Sequence, residues 1–278
     1  MRVAPNTRAA DTSVGEATTS VGSRLSLTSA RKGVQINPQT IARVTGVLFI
    51  ITIVASIPAA FVLYAPVLDD PNYIVGSGAD TSVSLGALLE FIVVIANIGT
   101  AVVLYPIVKR QNEILALGYV TSRVFESVFI MVGAFSLLTV VSLRSGLDPA
   151  LPLEDFAGTA SADDALLVTV GKSLVALHDW TFLFGPGILA GVGNGMMLGY
   201  LMYRSGLVPR GMAVLGLIGG PVLVAAAVAI LFGVIEAGSV WQVIATLPEA
   251  LWELSLGIWL IVRGFNSSAV ARLQPESQ

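Results

Sequence analysis

Six stretches of about 20 apolar residues recur along the chain, separated by short polar segments. The hydrocarbon core of a bilayer is about 30 Å thick and about 20 residues of helix cross it, so each stretch predicts one membrane span. The predicted spans cover about residues 41–65, 83–105, 115–142, 180–203, 212–235 and 240–262. The pattern predicts an all-α fold, a polytopic integral membrane bundle of six transmembrane helices surrounded by the lipid bilayer.

Polar segments at both ends bound the predicted bundle. Residues 1–40 are rich in Ser, Thr and Gly and contain no aromatic residue. Such a composition cannot bury enough apolar surface to offset the entropy lost on ordering. We therefore expect a disordered cytoplasmic tail over 1–40, a transmembrane domain over 41–265 and a short cytoplasmic tail over 266–278.

Basic residues in the loops fall mainly on one side of the predicted bundle. They accumulate in the first tail, at 106–113, at 204–211 and after the last span, whereas the opposite loops hold only Arg144 and Lys172. Loops rich in Lys and Arg stay in the cytoplasm. The asymmetry predicts that both termini are cytoplasmic and that the acidic loops face outward.

The outer-side loop after the third span contains a further predicted helix. Apolar residues repeat at helical spacing between 167 and 181, and Ser161 followed by Asp164 resembles a capping box. This extra amphipathic helix, over about 162–179, either lies flat on the outer leaflet or extends the fourth span outward. The sequence leaves both arrangements open.

Composition argues against several classes of function. The chain has no Cys and a single His, which excludes thiolate sites and zinc sites built from three histidines. The sequence has no stripe of basic residues, so it does not indicate a nucleic-acid partner. It also has no catalytic serine elbow, zinc-protease motif or phosphate-binding loop. We expect no catalytic residue, metal or cofactor, and the sequence indicates no particular protein partner.

Polar and ionisable residues inside the spans are the main functional hint. They are Glu90, Asn97, Arg123, Glu126, Asn194, Glu249 and Glu253. The spacing of three between Arg123 and Glu126, and of four between Glu249 and Glu253, places each pair on one helix face. A charge at the centre of a span costs about 2.5–3.5 kcal/mol on insertion scales, so these faces are expected to point into the bundle.

Four Glu residues accompany a single Arg at these depths. Even after Arg123 has satisfied a carboxylate, at least two carboxyls have no basic partner. Each must be protonated, hydrated or bound to a cation, because an isolated charge in hydrocarbon is too costly. The sequence indicates either an acid-rich site for a proton, a cation or a small-molecule ligand, or a structural network that fixes helix register.

His178 and Asp179 lie at the predicted outer mouth of the bundle, beside Trp180. One interpretation is a metal or proton-relay site with Glu90 or Glu249 as a partner. The other is an interfacial His–Asp pair anchored by the tryptophan, since Trp is enriched at membrane interfaces.

A stripe of glycines runs along the fourth predicted span. Its members, at four-residue spacing, are Gly187, Gly191, Gly195 and Gly199. Small residues on one face let a second helix approach closely. We expect this stripe to serve helix packing, with a substrate-facing groove as the alternative.

Five segments resemble one known family when taken together: Ala42–Gly46, Tyr105–Glu126, Gly193–Gly195, Tyr203–Arg210 and Glu249–Gly264. They are similar to the bacterial membrane family termed domain of unknown function 4386, over about residues 40–265. The resemblance implies a six-span protein of the bacterial plasma membrane and supplies no established activity. It marks as positions to test Arg123, Glu126, Asn194 and Glu253.

Three hypotheses for the function follow from the sequence. The first is a small transporter or channel coupled to protons or cations, and the second is a structural or regulatory membrane component. The third, an intramembrane enzyme, has the least support because no motif specifies a reaction.

Overall fold

The computed structural model describes residues 37–76, 78–146 and 160–273, with side chains described from residue 164 in the last range. Almost all of the predicted disordered tail, and the Ser161 side chain of the predicted capping box, lie outside the described residues. Within the described ranges every regular element is helical. Six helices there are long and apolar enough to cross a membrane, so the prediction of an all-α, six-span fold is confirmed.

Spans one to four are longer than the apolar stretches that predicted them, span five is shorter, and span six has the predicted bounds. Span one runs from Pro38 to Asp69 and contains a π-helical turn at Ala59–Leu63. The other spans are Asp80–Val108 for span two, Glu113–Ser145 for span three, Asp164–Ser205 for span four, Arg210–Leu231 for span five and Val240–Val262 for span six. A 3₁₀ turn, Tyr73–Val75, lies between the first two spans.

Span four decides between the two arrangements that the sequence left open. The α-helix Ala160–Phe182 continues without a break into two π-helical segments, Leu183–Leu189 and Gly191–Leu198, and ends as an α-helix at Gly199–Ser205. The segment 162–179 therefore extends the fourth span. Pro186 has no N–H for the usual i→i−4 hydrogen bond, and wider i→i+5 turns carry the helix past it.

Local sequence signals fix several helix ends. The Asn37 side chain accepts a hydrogen bond from the Gln39 amide at 2.9 Å, and the Asn112 side chain accepts one from Leu115 at 3.0 Å, which caps spans one and three. Gly146, with φ of 64°, caps the end of span three at Ser145. A left-handed residue of this kind closes the last turn at little steric cost when it is glycine.

The six spans form a closed ring in chain order. Each span packs against the next one, and span six packs back against span one. We call the end of the bundle with the loops at 109–112 and 206–209 the inner end, and the opposite end the outer end.

A short helix that the sequence analysis did not predict, Ser267–Leu273, packs at the inner end. Its Ala269 and Val270 are buried in the largest apolar cluster of the bundle. The Gln39 side chain donates to the Phe265 carbonyl at 2.8 Å and accepts from the Phe265 amide at 3.0 Å. These two bonds tie the start of span one to the segment that follows span six.

Candidate functional site

Six of the seven polar residues predicted inside the spans lie together in the interior of the ring. They are Asn97 of span two, Arg123 and Glu126 of span three, Asn194 of span four, and Glu249 and Glu253 of span six. We call this set the central network. It joins four of the six spans, because side chains from each of them take part in one chain of polar contacts.

One half of the central network is a closed triangle. Arg123 Nη1 donates to Glu126 Oε2 at 2.9 Å, and Arg123 Nη2 donates to Asn97 Oδ1 at 2.7 Å. Asn97 Nδ2 completes the triangle with a bond of 3.1 Å to Glu126 Oε1. The guanidinium also lies over the Phe49 ring of span one, 5.8 Å from its centroid. In this half, one positive charge meets one negative charge and both carboxylate oxygens have donors.

The other half contains two carboxyls that share one amide. Asn194 Nδ2 donates to Glu253 Oε1 at 2.6 Å and lies 3.3 Å from Glu249 Oε1. Glu249 Oε1 and Glu253 Oε1 therefore lie on the same nitrogen, both within 3.3 Å of it. Among the described residues, the cationic atom that approaches this pair is Arg123 Nη1, 3.7 Å from Glu253 Oε1, and that nitrogen already donates to Glu126.

The backbone of span four places Asn194 between these carboxyls. Asn194 lies in the second π-helical segment, and its carbonyl accepts a hydrogen bond from Trp252 Nε1 at 3.2 Å. A methyl group on the adjacent Gly195 would lie 2.5 Å from Glu249 Oε2. It would also lie 2.5 Å from the Gly220 Cα of span five, so the close backbone approach of spans four and five requires glycine at this position.

Three polar atoms of the central network are buried without a hydrogen-bond partner among the described residues. They are Arg123 Nε, Asn194 Oδ1 and Glu249 Oε2. An ionised Glu249 would thus carry charge on a buried oxygen that has no donor. Because an unpaired buried charge is costly, a protonated carboxyl or a bound ion suits this geometry better than two free carboxylates.

Glu90 lies apart from the central network, in a second polar cluster nearer the outer end. Tyr64 Oη of span one donates to Glu90 Oε2 at 2.8 Å. The His178 ring of span four meets the Tyr64 ring edge-on, with 5.6 Å between the centroids. All three side chains are buried. We call these residues the outer cluster. Glu90 and His178 both contact Tyr64, whereas Glu249 belongs to the central network.

Asp179 is exposed at the rim of the outer cluster. Its Oδ1 lies 3.5 Å from His178 Nδ1, at the long end of hydrogen-bonding distance. The Asp179 side chain keeps 63% of its accessible surface. It also lines an open groove of about 280 Å³ at the outer end, together with Asp70 and Lys172.

A third polar group fastens the outer ends of spans two and three. Arg144 Nη1 donates to Asp80 Oδ2 at 2.6 Å, and Tyr73 Oη donates to Asp80 Oδ1 at 2.9 Å. Burial and the hydrogen bond to Asp80 raise the pKa of Tyr73 to about 12. The Tyr73 hydroxyl therefore keeps its proton at neutral pH and remains a donor.

The glycine stripe of span four faces span five along its length. A methyl group added to any of these glycines would contact Ala227, Gly220 or Leu217 of span five. The contact at Gly191 is among the tightest, since the added carbon would lie 2.8 Å from the Gly220 carbonyl oxygen. The members with these contacts are Gly187, Gly191, Gly195 and Gly199.

The described residues do not bring together three or more His, Cys, Asp or Glu side chains that could hold a metal ion. The carboxyls of the central network are instead interleaved with amide and guanidinium groups. Such an arrangement suits a proton, which needs one acceptor oxygen, better than a divalent cation, which takes six or more oxygen ligands in the case of Ca²⁺.

Several residues that complete these sites were not identified from the sequence. Tyr64, Phe49 and Trp252 are aromatic residues within or at the end of apolar spans, where nothing in the pattern separates them from core residues. Arg144 could have been identified as a candidate for an ion pair, because it is one of only two basic residues in the predicted outer loops. Its pairing with Asp80 followed from the fold alone.

The fold and the polar interior together define a multi-pass membrane protein with ionisable groups held inside the bundle. The chain belongs to the family described as Domain of unknown function (DUF4386), whose sequence model matches residues 44–264. The resemblance predicted from the sequence is thereby confirmed. No curated protein and no solved structure matches the chain.

Proposed function

We propose that this protein is a small proton-coupled transporter of the bacterial plasma membrane, and that the Glu249–Glu253 pair of the central network holds the exchanged proton. The observation that carries the proposal is the shared donor: one amide nitrogen of Asn194 serves both carboxyls. The Oε1 atoms of Glu249 and Glu253 both lie within 3.3 Å of that nitrogen. Two negative charges this close repel strongly in a medium of low dielectric constant.

Charge counting supports a single proton in this pair. The positive charge of Arg123 is offset by Glu126, which it contacts at 2.9 Å. Two ionised carboxyls would leave the remaining half of the network with two negative charges and one neutral donor. One proton on the pair removes half of that charge and lets the amide bond the remaining carboxylate.

The exposure of Glu253 differs from that of Glu126 in the triangle. The side chain of Glu253 keeps 20% of its accessible surface, compared with 6% for Glu126. Glu253 is therefore the more accessible of these two carboxyls, which supports Glu253 as the carboxyl that exchanges the proton. Coupling follows when loss of the proton changes how spans four and six pack.

Loop charges support the orientation that goes with this function. Lys109, Arg110 and Arg210 lie at the inner end, whereas Arg144 at the outer end is paired with Asp80. Paired in this way, Arg144 contributes little net charge to the outer loops. We propose that both termini are cytoplasmic, in agreement with the bias of basic loops toward the cytoplasm.

Infrared spectroscopy of the purified protein tests whether the pair is protonated. At neutral pH the wild-type protein should show a protonated-carboxyl C=O band, and Glu249→Gln/Glu253→Gln should reduce it by the intensity of one carboxyl. The matched control is Glu113→Gln, which changes an exposed carboxylate at the start of span three and should leave the band unchanged. Equal bands in wild type and double variant would overturn the proposal.

Transport itself is tested in proteoliposomes that contain a trapped pH dye. Solutes from a panel of sugars, amino acids and organic cations are added outside one at a time, and proton movement is recorded. We expect one class of solute to drive proton movement in the wild type and in Glu113→Gln, and no movement in Glu253→Gln.

A structural role for the network is the second candidate, favoured by the closed triangle of Asn97, Arg123 and Glu126. This triangle satisfies both carboxylate oxygens and locks spans two and three in register. The candidate predicts that Glu249→Gln and Glu253→Gln leave the infrared band and all proton movement unchanged, and that only the triangle is sensitive to substitution.

A further inference from the structure

The two polar sites in the bundle are separated by an apolar layer. Its buried members are Ala55 of span one, Val93 and Val94 of span two, and Ile130 of span three. Partly buried Leu89, Ile98 and Met131 pack against them. We call Val93, Val94 and Ile130 the barrier layer, since their positions along the spans lie between the two polar sites.

Span two gives the order of the layers along the bundle. Glu90, then Val93 and Val94, then Asn97 follow at offsets of three, four and seven residues, which places them on one face of the helix. All four are buried. At 1.5 Å per residue, Glu90 and Asn97 are about 10 Å apart along the axis, too far for direct proton transfer between them.

Spans one and three repeat this order. Along span three toward the outer end come Glu126 of the central network, Ile130, and then Gly133, on which a methyl group would lie 3.2 Å from His178 Cδ2. Along span one come Phe49, which underlies Arg123, and then Tyr64, which bonds Glu90. Along spans one, two and three, the same order therefore runs from the central network to the outer end: a polar layer, an apolar layer and a second polar layer.

The inner side of the central network is closed more heavily than the outer side. Fully buried Leu104, Tyr119, Leu198 and Leu256 belong to an extensive apolar cluster that continues to the inner end. On the outer side, the described residues of the barrier layer belong to a much smaller buried apolar cluster. The thinner apolar closure therefore lies toward the outer cluster.

The outer cluster has a connection to the surface at the outer end. His178 is next to Asp179, which is exposed and lines the open groove. The charged and titratable groups that face Glu90 are Tyr64 of span one and His178 of span four; His178 itself faces Tyr64 and Asp179. A proton taken up from the groove thus meets the imidazole first and the carboxyl next.

We infer that protons reach the central network from the outer end through His178 and Glu90, and that the barrier layer is the closure they must cross. This inference rests on the proposed function and names the route to its proton site. Transfer from a His178 imidazolium to a Glu90 carboxylate leaves both groups neutral, so the outer cluster holds one proton without net charge. The barrier layer then needs transient hydration, since a hydrophobic constriction gates passage by excluding water.

Proton entry into proteoliposomes after an external acid step tests this route. The liposomes contain a trapped pH dye, and potassium with valinomycin clamps the membrane potential. Val93→Thr/Val94→Thr adds two hydroxyls to the barrier layer with almost no change in volume, and we expect proton entry at least fivefold faster than in the wild type. Adding Glu90→Gln to this variant should return the rate to the wild-type value.

The control is Val102→Thr/Val128→Thr, which places the same hydroxyls on exposed positions of spans two and three. The inference fails if this control leaks as fast as the barrier variant, or if Glu90→Gln does not slow the leak. It also fails if the barrier variant, shown by gel filtration to be folded, leaks no faster than the wild type. The infrared band of the Glu249–Glu253 pair does not depend on the route, so an intact band with any of these results overturns the route alone.

Thiol labelling gives a second measurement in case the double threonine variant does not fold. The chain contains no Cys, so single cysteines can be introduced without removing any. A membrane-impermeant thiol reagent should modify Asp179→Cys rapidly and Val93→Cys at least tenfold more slowly. Equal rates at the two positions would show that no barrier separates the groove from the level of Val93, and the inference would be wrong.

Discussion

Arg123 is a permanently charged side chain with 1% of its surface exposed, and its surroundings explain how the bundle tolerates it. Two of its nitrogens donate to Glu126 and Asn97, and the guanidinium lies over Phe49. Removing a buried charge from water costs several kcal/mol, which the pairing and hydrogen bonds must offset. These partners together offset the cost of burying the Arg123 charge.

A double-mutant cycle measures this dependence. Arg123→Gln leaves Glu126 buried without a cation, and breaking a buried pair in this way costs about 3–5 kcal/mol. Arg123→Gln/Glu126→Gln removes both charges and should be more stable than Arg123→Gln alone by about 1–3 kcal/mol. Stability is measured by thermal unfolding in detergent; a double variant less stable than Arg123→Gln would contradict the pairing.

At the scale of the element, span four combines a long helix with two π-helical segments around Pro186. π-helical turns often occur at functional sites, and here the second segment contains the Asn194 side chain that joins Glu249 and Glu253. The segment approaches its partners closely because its glycines have no side chain. The same segment, Gly191–Leu198, therefore sets both how closely span four packs and where the Asn194 side chain lies in the central network.

Gly195→Ala tests this coupling between packing and the site. The added methyl group would lie 2.5 Å from Glu249 Oε2 and from the Gly220 Cα, and overpacking of this kind costs about 1–3 kcal/mol. Gly211→Ala is the matched control in span five, because its methyl group would meet nothing within 4 Å and alanine is favoured in a helix by about 1 kcal/mol. Thermal unfolding should give opposite signs for the two variants; the same sign for both would refute the argument.

At the scale of the whole molecule, the closed ring gives each span two neighbours and an inward face. The polar residues of four spans meet on those inward faces, whereas large apolar residues such as Phe61, Val102 and Ile258 remain exposed on the outside of the bundle. This distribution inverts that of a soluble protein and suits a lipid surrounding.

Single-cysteine labelling in intact cells tests the proposed orientation of the ring. Lys172→Cys lies at the outer end and Arg272→Cys in the last helix at the inner end, and both side chains are exposed. We expect an impermeant maleimide to label Lys172→Cys in intact cells and Arg272→Cys only after the membrane is permeabilised. Labelling of both positions from the same side would disprove the proposed orientation.

The sequence was sufficient for the number of spans, because burial in lipid imposes length and hydrophobicity on each helix separately. It also identified the seven polar residues inside the spans, since any such residue contrasts with an apolar background. It left open whether the segment at 162–179 extends span four, because a helical pattern does not report the angle at which one helix meets the next. Pro186 marked a break in regular helical hydrogen bonding in span four, but nothing in the sequence indicated the second π-helical segment.

Only the tertiary structure decided which of those polar residues contact one another. Helical spacing linked Arg123 with Glu126, but the bond from Asn194 to Glu253 joins positions 59 residues apart, and the contact of Tyr64 with His178 joins spans one and four. Spacing along one helix fixes a face, whereas contacts across the ring depend on how six helices rotate and pack together. Sequence therefore determined which groups enter the membrane, and the packing of the ring decided which of them meet.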